Sequence, residues 1–182
     1  MKKLILLLPL LAACGSPRAM SRVEEPTEPP GTDQARVIVF RDSFRNATKP
    51  YAFLNDEEVL GFSLVGTWFE VRCTPGEHFF VLHGVGSAGV RARLEAGKTY
   101  FLRVDSVPKL LHLELRLTPI VPGMDEFEKI FSVLVDLDRT EPIDTALAAY
   151  AEEHAEDLEA AISRLKTDDY EQCPVLGPDA GR

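Results

Sequence analysis

From Arg36 to Leu117 the chain is a series of short apolar runs separated by turn residues. Arg36-Val-Ile-Val-Phe-Arg41 is β-branched and apolar on both faces, the pattern of a central, doubly covered strand. Tyr51–Leu54 and Val59–Leu64 flank the polar Asn55-Asp-Glu-Glu58 and read as a hairpin. Thr67–Cys73 alternates, with Thr67, Phe69, Val71 and Cys73 on one face; Pro75-Gly76 then breaks the chain before Glu77–His83. Val90–Leu94 and Lys98–Asp105 alternate on either side of the Glu95-Ala-Gly97 turn. Leu111, Leu113, Leu115 and Leu117 share a face opposite His112, Glu114 and Arg116. About eight strands in roughly 85 residues predict an antiparallel β-sandwich or barrel, because no segment between strands is long enough for a helical crossover.

Beyond Pro119 the period lengthens. Phe127, Ile130, Phe131, Leu134 and Val135 recur at helical spacing over 125–137, although Val133-Leu-Val135 fits a strand equally well. Thr140 has the chemistry of a helix N-cap, with Glu141 and Pro142 suited to the first turn. The stripe Ile143, Leu147, Ala151, Leu158, Ile162 and Leu165 comes next, interrupted by His154, with Glu152, Glu153, Glu156, Asp157 and Glu159 on the solvated side. The expected fold class is therefore mainly β: an antiparallel β-sandwich of about eight strands with one or two C-terminal α-helices over 120–167. Residues 168–182 read as a tail.

The N-terminus carries a different signal. Lys2-Lys3, the apolar run Leu4–Leu11 and the small residues before Cys14 make a secretory leader over 1–13. The run is much shorter than the ~20 residues that cross a bilayer. Leu11-Ala-Ala-Cys14 resembles the lipobox of bacterial lipoproteins, which implies cleavage before Cys14, diacylglycerol on its thiol and an acyl chain such as palmitate on its new amine. Gly15 rather than Asp comes after the cysteine, which in enterobacterial lipoproteins accompanies export to the outer rather than the inner membrane. Gly15–Gln34, with four prolines and almost nothing apolar, reads as a flexible tether completing a 14–34 segment. Free, it would span roughly 25 Å as a coil and up to ~60 Å as polyproline II.

Charge narrows the partners. The chain carries a formal −9, and losing Lys2 and Lys3 with the leader takes it to −11. That balance argues against nucleic acid, which wants a basic stripe, and against electrostatic docking on anionic headgroups. Membrane attachment is thus assigned to the lipid on Cys14. With Cys14 assigned, Cys73 and Cys173 remain of the three cysteines. In an oxidising compartment the pair reads as one disulfide, the alternative being two thiols.

Candidate chemistry is sparse. Gly84-Val-Gly-Ser-Ala-Gly89 has the spacing of a dinucleotide fingerprint, but the adjoining Val90–Leu94 alternates like a strand, so it reads as a hairpin loop. His78 and His83 lie five apart on one strand and project to opposite faces, and neither they nor His112 and His154 have zinc-site spacing. No metal or cofactor is expected. Ser63 and Ser87 lack a base nearby in sequence, and Asn46-Ala-Thr48 reads as a chance sequon. Of Phe62, Trp68, Phe79, Phe80 and Tyr100, most read as core, but Trp68 shares its strand face with Glu70 and Arg72 and Phe80 with His78, so these two are candidates for a docking or carbohydrate-stacking surface. Arg91, Arg93, Arg103 and Arg116 alternate onto sheet faces and are candidates for one basic recognition strip.

Ala35-Arg-Val-Ile-Val-Phe-Arg41, Leu54-Asn-Asp-Glu-Glu-Val-Leu-Gly61, Gly66-Thr-Trp-Phe-Glu-Val71, Pro75-Gly-Glu-His78 and Ala96-Gly-Lys-Thr-Tyr-Phe-Leu-Arg-Val104 together resemble the bacterial DUF2846 family. The resemblance spans about 35–119 and implies a PEGA-like β-sandwich in an envelope lipoprotein, with no catalytic residues to carry over. The sequence thus predicts a non-catalytic, lipid-anchored envelope protein with a binding or scaffolding role, its partners envelope proteins or glycan. The competing expectation is a glycan- or peptidoglycan-binding module or hydrolase.

Overall fold

The computed structural model describes residues 19–25, 27–42, 49–110 and 112–182; Cys14 and Asn46 lie outside them. In chain order the strands are β1 (Met20–Arg22), β2 (Ala35–Arg41), β3 (Tyr51–Asn55), β4 (Glu58–Ser63), β5 (Thr67–Cys73), β6 (Gly76–His83), β7 (Ser87–Leu94), β8 (Thr99–Pro108) and β9 (Leu113–Ile120). Helix α1 (Asp125–Val135), strand β10 (Asp138–Pro142), helices α2 (Asp144–Glu153) and α3 (Ala155–Thr167) and strand β11 (Val175–Leu176) complete the fold. Two sheets form, a six-stranded one in the order β1-β10-β5-β2-β8-β9 and a five-stranded one in the order β11-β7-β6-β3-β4.

The chain changes sheet in pairs of strands. β3 and β4 leave β2 for the five-stranded sheet, β5 returns beside β2, β6 and β7 leave again, and β8 returns on the other side of β2. The second return makes β2 and β8 parallel, from Arg36↔Thr99 to Phe40↔Arg103. The β10/β5 and β11/β7 pairs are parallel as well, so both sheets are mixed rather than antiparallel. A crossover helix was the wrong criterion: the other sheet itself serves as the crossover.

The layers arise from the residue pattern. Between the sheets, Val37, Val39, Phe69, Tyr100 and Leu102 meet Phe53, Phe80, Leu82 and Val90, each less than 2% exposed. Phe53 packs edge-on to Phe69 at 5.8 Å across that layer and stacks on Phe80 of the neighbouring strand at 5.3 Å. The opposite face of β2 and β8 supplies Ile38, Phe40 and Phe101, which with Ile120 form a second, smaller core under Phe127, Ile130 and Leu134 of α1. The doubly apolar β2 pattern is thereby explained, and residues 125–135 are helix because their buried positions repeat at three and four. Phe131 and Val135, on the same predicted stripe, overhang the packed face instead and stay exposed.

Helices α2 and α3 cover the five-stranded sheet, with Leu158, Ile162 and Leu165 buried and Tyr150 edge-on to Phe62 at 5.0 Å. The long predicted stripe is broken at His154, which separates the two helices and stacks on Tyr150 at 4.1 Å. Thr140 is not an N-cap. It lies buried in β10, where its hydroxyl donates to the Trp68 carbonyl at 3.2 Å, because β5 and β1 recruit the segment as a strand before α2 can start.

Both ends expected to be loose are fastened. Met20 is 5% exposed and its Sδ accepts the Phe62 N–H, so the predicted tether is built into the fold from residue 19 onward. The predicted tail pairs as β11 with Arg91 and Ala92 and ends in reciprocal backbone bonds between Thr99 and Arg182. Cys73 and Cys173 are both buried and free. Cys73 lies at the end of β5 opposite Ala35, whereas Cys173 packs on Gly89 of β7 in the other sheet, so the expected bridge is not made. A Cβ at Gly89 would stand 2.7 Å from the Phe79 ring and 2.9 Å from Cys173 Sγ, which fixes glycine there. Burial, with Glu58 adding to it, pushes the Cys73 thiol up to about 11, and burial also raises that of Cys173. Neither is a reactive thiolate at neutral pH.

Candidate binding groove

The outer face of the six-stranded sheet is divided in two. Its apolar half is sealed by α1; its polar half carries Arg36, Glu70, Arg72 and Arg139. Register explains the grouping: Arg36 pairs with Arg72, Ile38 with Glu70, Phe40 with Trp68, and Trp68 with Arg139, and directly paired residues share a face. The segment after β1 crosses this polar half. Arg36 donates to the Thr27 hydroxyl and the Glu28 carbonyl, Arg72 to the same Glu28 carbonyl, and Arg139 to the Glu25 carbonyl at 2.6 Å. Val23 N–H bonds the Arg139 carbonyl, and Arg22 pairs with Asp138 at 2.8 Å.

Between this segment and α1 runs a groove of about 540 Å³, within the range that holds small ligands. Trp68 and Ile38 line its floor, Phe131, Leu134, Val135 and Leu137 one wall, and Arg22, Thr27, Arg36 and Arg139 the other. Val135 is 84% and Phe131 52% exposed, large apolar surface left facing solvent. The Trp68 ring is half-buried, with the Arg139 guanidinium 5.8 Å from its centroid. Burial lowers the pKa of Arg36 against the opposing effect of Glu70, and Arg72 and Arg139 push the same way as burial. Glu24, Glu25 and Asp138 also line the charged wall, and Arg22, Arg36 and Arg139 pair with Asp138, Glu70 and Glu141, so its charge is largely balanced. The groove is therefore amphipathic, with a charged, mutually paired wall facing an aliphatic and aromatic one.

Of the residues singled out in the sequence, only Trp68 enters this groove. Arg91 and Arg93 stand on β7 of the five-stranded sheet and Arg103 and Arg116 on β8 and β9 of the other, so they form no single strip. Arg103 binds Asp105 at 2.9 Å and Glu126 at 3.3 Å, Arg116 binds Glu114 at 2.6 Å, and Arg91 binds Glu171 at 3.2 Å while covering Tyr170. Those three arginines are engaged within the fold. Arg22, Arg36 and Arg139 were missed, although arginine at alternate positions on the Trp68-bearing face was a readable hint.

The histidines stay apart. His78 stacks on Phe80 and bonds Asn55 and Thr74, on the opposite face of β6 from His83. Among the described residues no three or more His, Cys, Asp or Glu side chains gather as a metal site would require. His83 and Ser87 face each other across the β6–β7 hairpin, 3.1 Å apart, and the glycine-rich residues between them form its turn. Burial lowers the pKa of His83, with Asp157 opposing and His154 and Arg164 adding to it. Among the described residues no carboxylate is hydrogen-bonded to His83. No helix there is long and apolar enough to cross a membrane.

No protein-family profile matches this chain, and no curated protein or solved structure is significantly similar to it.

Proposed function

We propose that this protein is a non-catalytic binding module of the bacterial cell envelope, anchored by lipid on Cys14, and that the Trp68 groove is its binding surface. The observation that carries the reading is exposed Phe131 and Val135 beside half-buried Trp68, opposite a wall of paired arginines and carboxylates. An amphipathic groove suits a ligand or partner that presents an apolar face beside polar, hydrogen-bonding groups. The sequence motifs that resemble DUF2846 suit an envelope setting and supply no chemistry of their own.

The test is photo-crosslinking in intact cells. A photoreactive side chain at Val135, on the groove wall, is expected to capture a partner that one at Arg93, on the other sheet, does not. Equal capture from both positions would sink the assignment of the groove. A second reading, hydrolysis, is favoured by the His83–Ser87 hydrogen bond, a base beside a hydroxyl nucleophile. It requires Ser87→Ala to abolish an esterase or amidase activity of the purified protein.

A further inference from the structure

The two sheets end in four strand edges, three of them short or occupied. β1 and β11 are three and two residues long, and at β4 the Phe62 N–H is taken by Met20. The fourth edge, β9, runs for eight residues with β8 on one side only. The β8–β9 hairpin fixes which of its backbone groups are left over. Lys109 N–H bonds the His112 carbonyl, so these two are a hydrogen-bonded pair, and antiparallel pairs alternate. Glu114, Arg116 and Thr118, opposite Val107, Asp105 and Arg103, therefore bond to β8, whereas Leu113, Leu115 and Leu117 aim their N–H and C=O groups away from it. Pro108 and Pro119, which have no N–H, both fall at positions that make no bond across this pair. Among the described residues no strand pairs with the outer edge of β9, and a cleft of about 550 Å³ opens along residues 114–118, between them and residues 172–174.

A row of unpaired donors and acceptors is completed by another extended backbone, and the side chains specify whose. Leu113-Glu-Leu-Arg-Leu117 is self-complementary about Leu115. Run antiparallel against a second copy, Leu115 meets Leu115, Leu113 meets Leu117 and Glu114 meets Arg116, and all three leucine positions are those with outward backbone groups. Moving the centre one residue either way sets Glu114 on Glu114 or Arg116 on Arg116. Within one chain Glu114 already pairs with Arg116 at 2.6 Å and with Lys109 at 3.0 Å. The second copy adds an opposite charge directly across from each, so that Glu114 and Arg116 of both copies form one alternating row over the junction. We propose that this chain forms a two-fold dimer through β9, joining two six-stranded sheets edge to edge, with backbone bonds at Leu113, Leu115 and Leu117 and the Glu114–Arg116 pairs fixing the register. A strand-edge junction is small, so the dimer is reversible. Antiparallel pairing within one sheet keeps each face on its own side, so both Trp68 grooves, on the outer face, point the same way.

The test is sedimentation velocity of the full chain in mild detergent over a wide range of concentration. The native chain is expected to pass reversibly from monomer to dimer. Glu114→Arg and Arg116→Glu each set like charges opposite one another across the junction and are expected to weaken the dimer roughly tenfold or more. Mixed in equal amounts, the two variants present complementary strands, and the dimer is expected to return as a heterodimer. Both side chains are partly exposed, so each variant should keep the native urea transition, and recovery on mixing could not come from a misfolded chain. A native chain that stays monomeric throughout, or variants that dimerise as well as it does, would overturn the proposal. So would a mixture no more dimeric than its separate parts.

Discussion

Residues 19–34 and 168–182 share a composition, rich in proline and acidic side chains and poor in apolar ones, yet the fold holds them by different forces. The C-terminal segment is held by burial. Leu176 is 0%, Ala180 4% and Cys173 7% exposed, β11 adds a parallel strand beside β7, and Thr99 and Arg182 exchange backbone bonds. The N-terminal segment buries only Met20; β1 pairs with β10 and Val23 bonds Arg139 through the backbone, and at Glu25, Thr27 and Glu28 it is held by arginine side chains on a partly wetted face. A fully buried leucine is worth about 1.5–3 kcal/mol, while a partly exposed polar contact contributes about 1 kcal/mol or less. One end is therefore part of the core, and the other is a strap that can let go while the core stays folded.

The sharpest way to break this comparison is at Leu176. Leu176→Ala is expected to cost about 2–5 kcal/mol, the range for a truncated core leucine, read as a lower urea midpoint with an unchanged slope. A loss under ~1 kcal/mol would mean that the C-terminal segment only rests on the sheet. A smaller global effect, about 1 kcal/mol, is expected for Arg139→Ala, together with faster amide exchange over residues 22–28. Added salt should loosen those residues and leave 173–180 protected, because screening weakens the arginine contacts and not burial. Equal sensitivity of both ends to salt would erase the distinction.

The smallest effect belongs to neither end. Burial lowers the folded pKa of His83, so below the ordinary histidine value near 6.5 the unfolded chain binds a proton that the folded chain refuses. Stability should therefore fall as pH drops from about 6.5 toward the folded pKa, and His83→Gln should flatten that slope. An unchanged slope would assign the acid sensitivity to other groups.

Much of the fold was legible from periodicity. Alternation located β2 through β9, and the doubly apolar Arg36–Arg41 run announced a layer on each side of β2 before α1 was seen to supply one. Alternation reports which face a side chain takes, however, and not which strand lies alongside, so the parallel β2/β8 pair was invisible. Thr140 and Glu141-Pro142 match helix-start chemistry locally, but two strand partners outcompete it with backbone bonds that only the assembled sheet offers. Charged face-mates single out Trp68, which lies on the groove floor, but the same reasoning from His78 singles out Phe80, which is fully buried between the sheets. The groove partners of Trp68 were not legible, since Arg36, Arg139 and Arg22 come from three strands far apart in sequence.

By itself the sequence determined the β-rich class, the apolar faces and the helical C-terminal region, and its stretch up to Cys14 resembles a leader with a lipobox. Those features depend on residue type and local spacing, which any chain displays before it folds. Tertiary structure alone decided the fate of the two ends, the separation of Cys73 from Cys173 and the assembly of the groove. A proline-rich, weakly apolar segment cannot order itself, but a sheet that offers it donors, acceptors and a strand edge can order it, and whether such a surface exists depends on residues more than a hundred positions away.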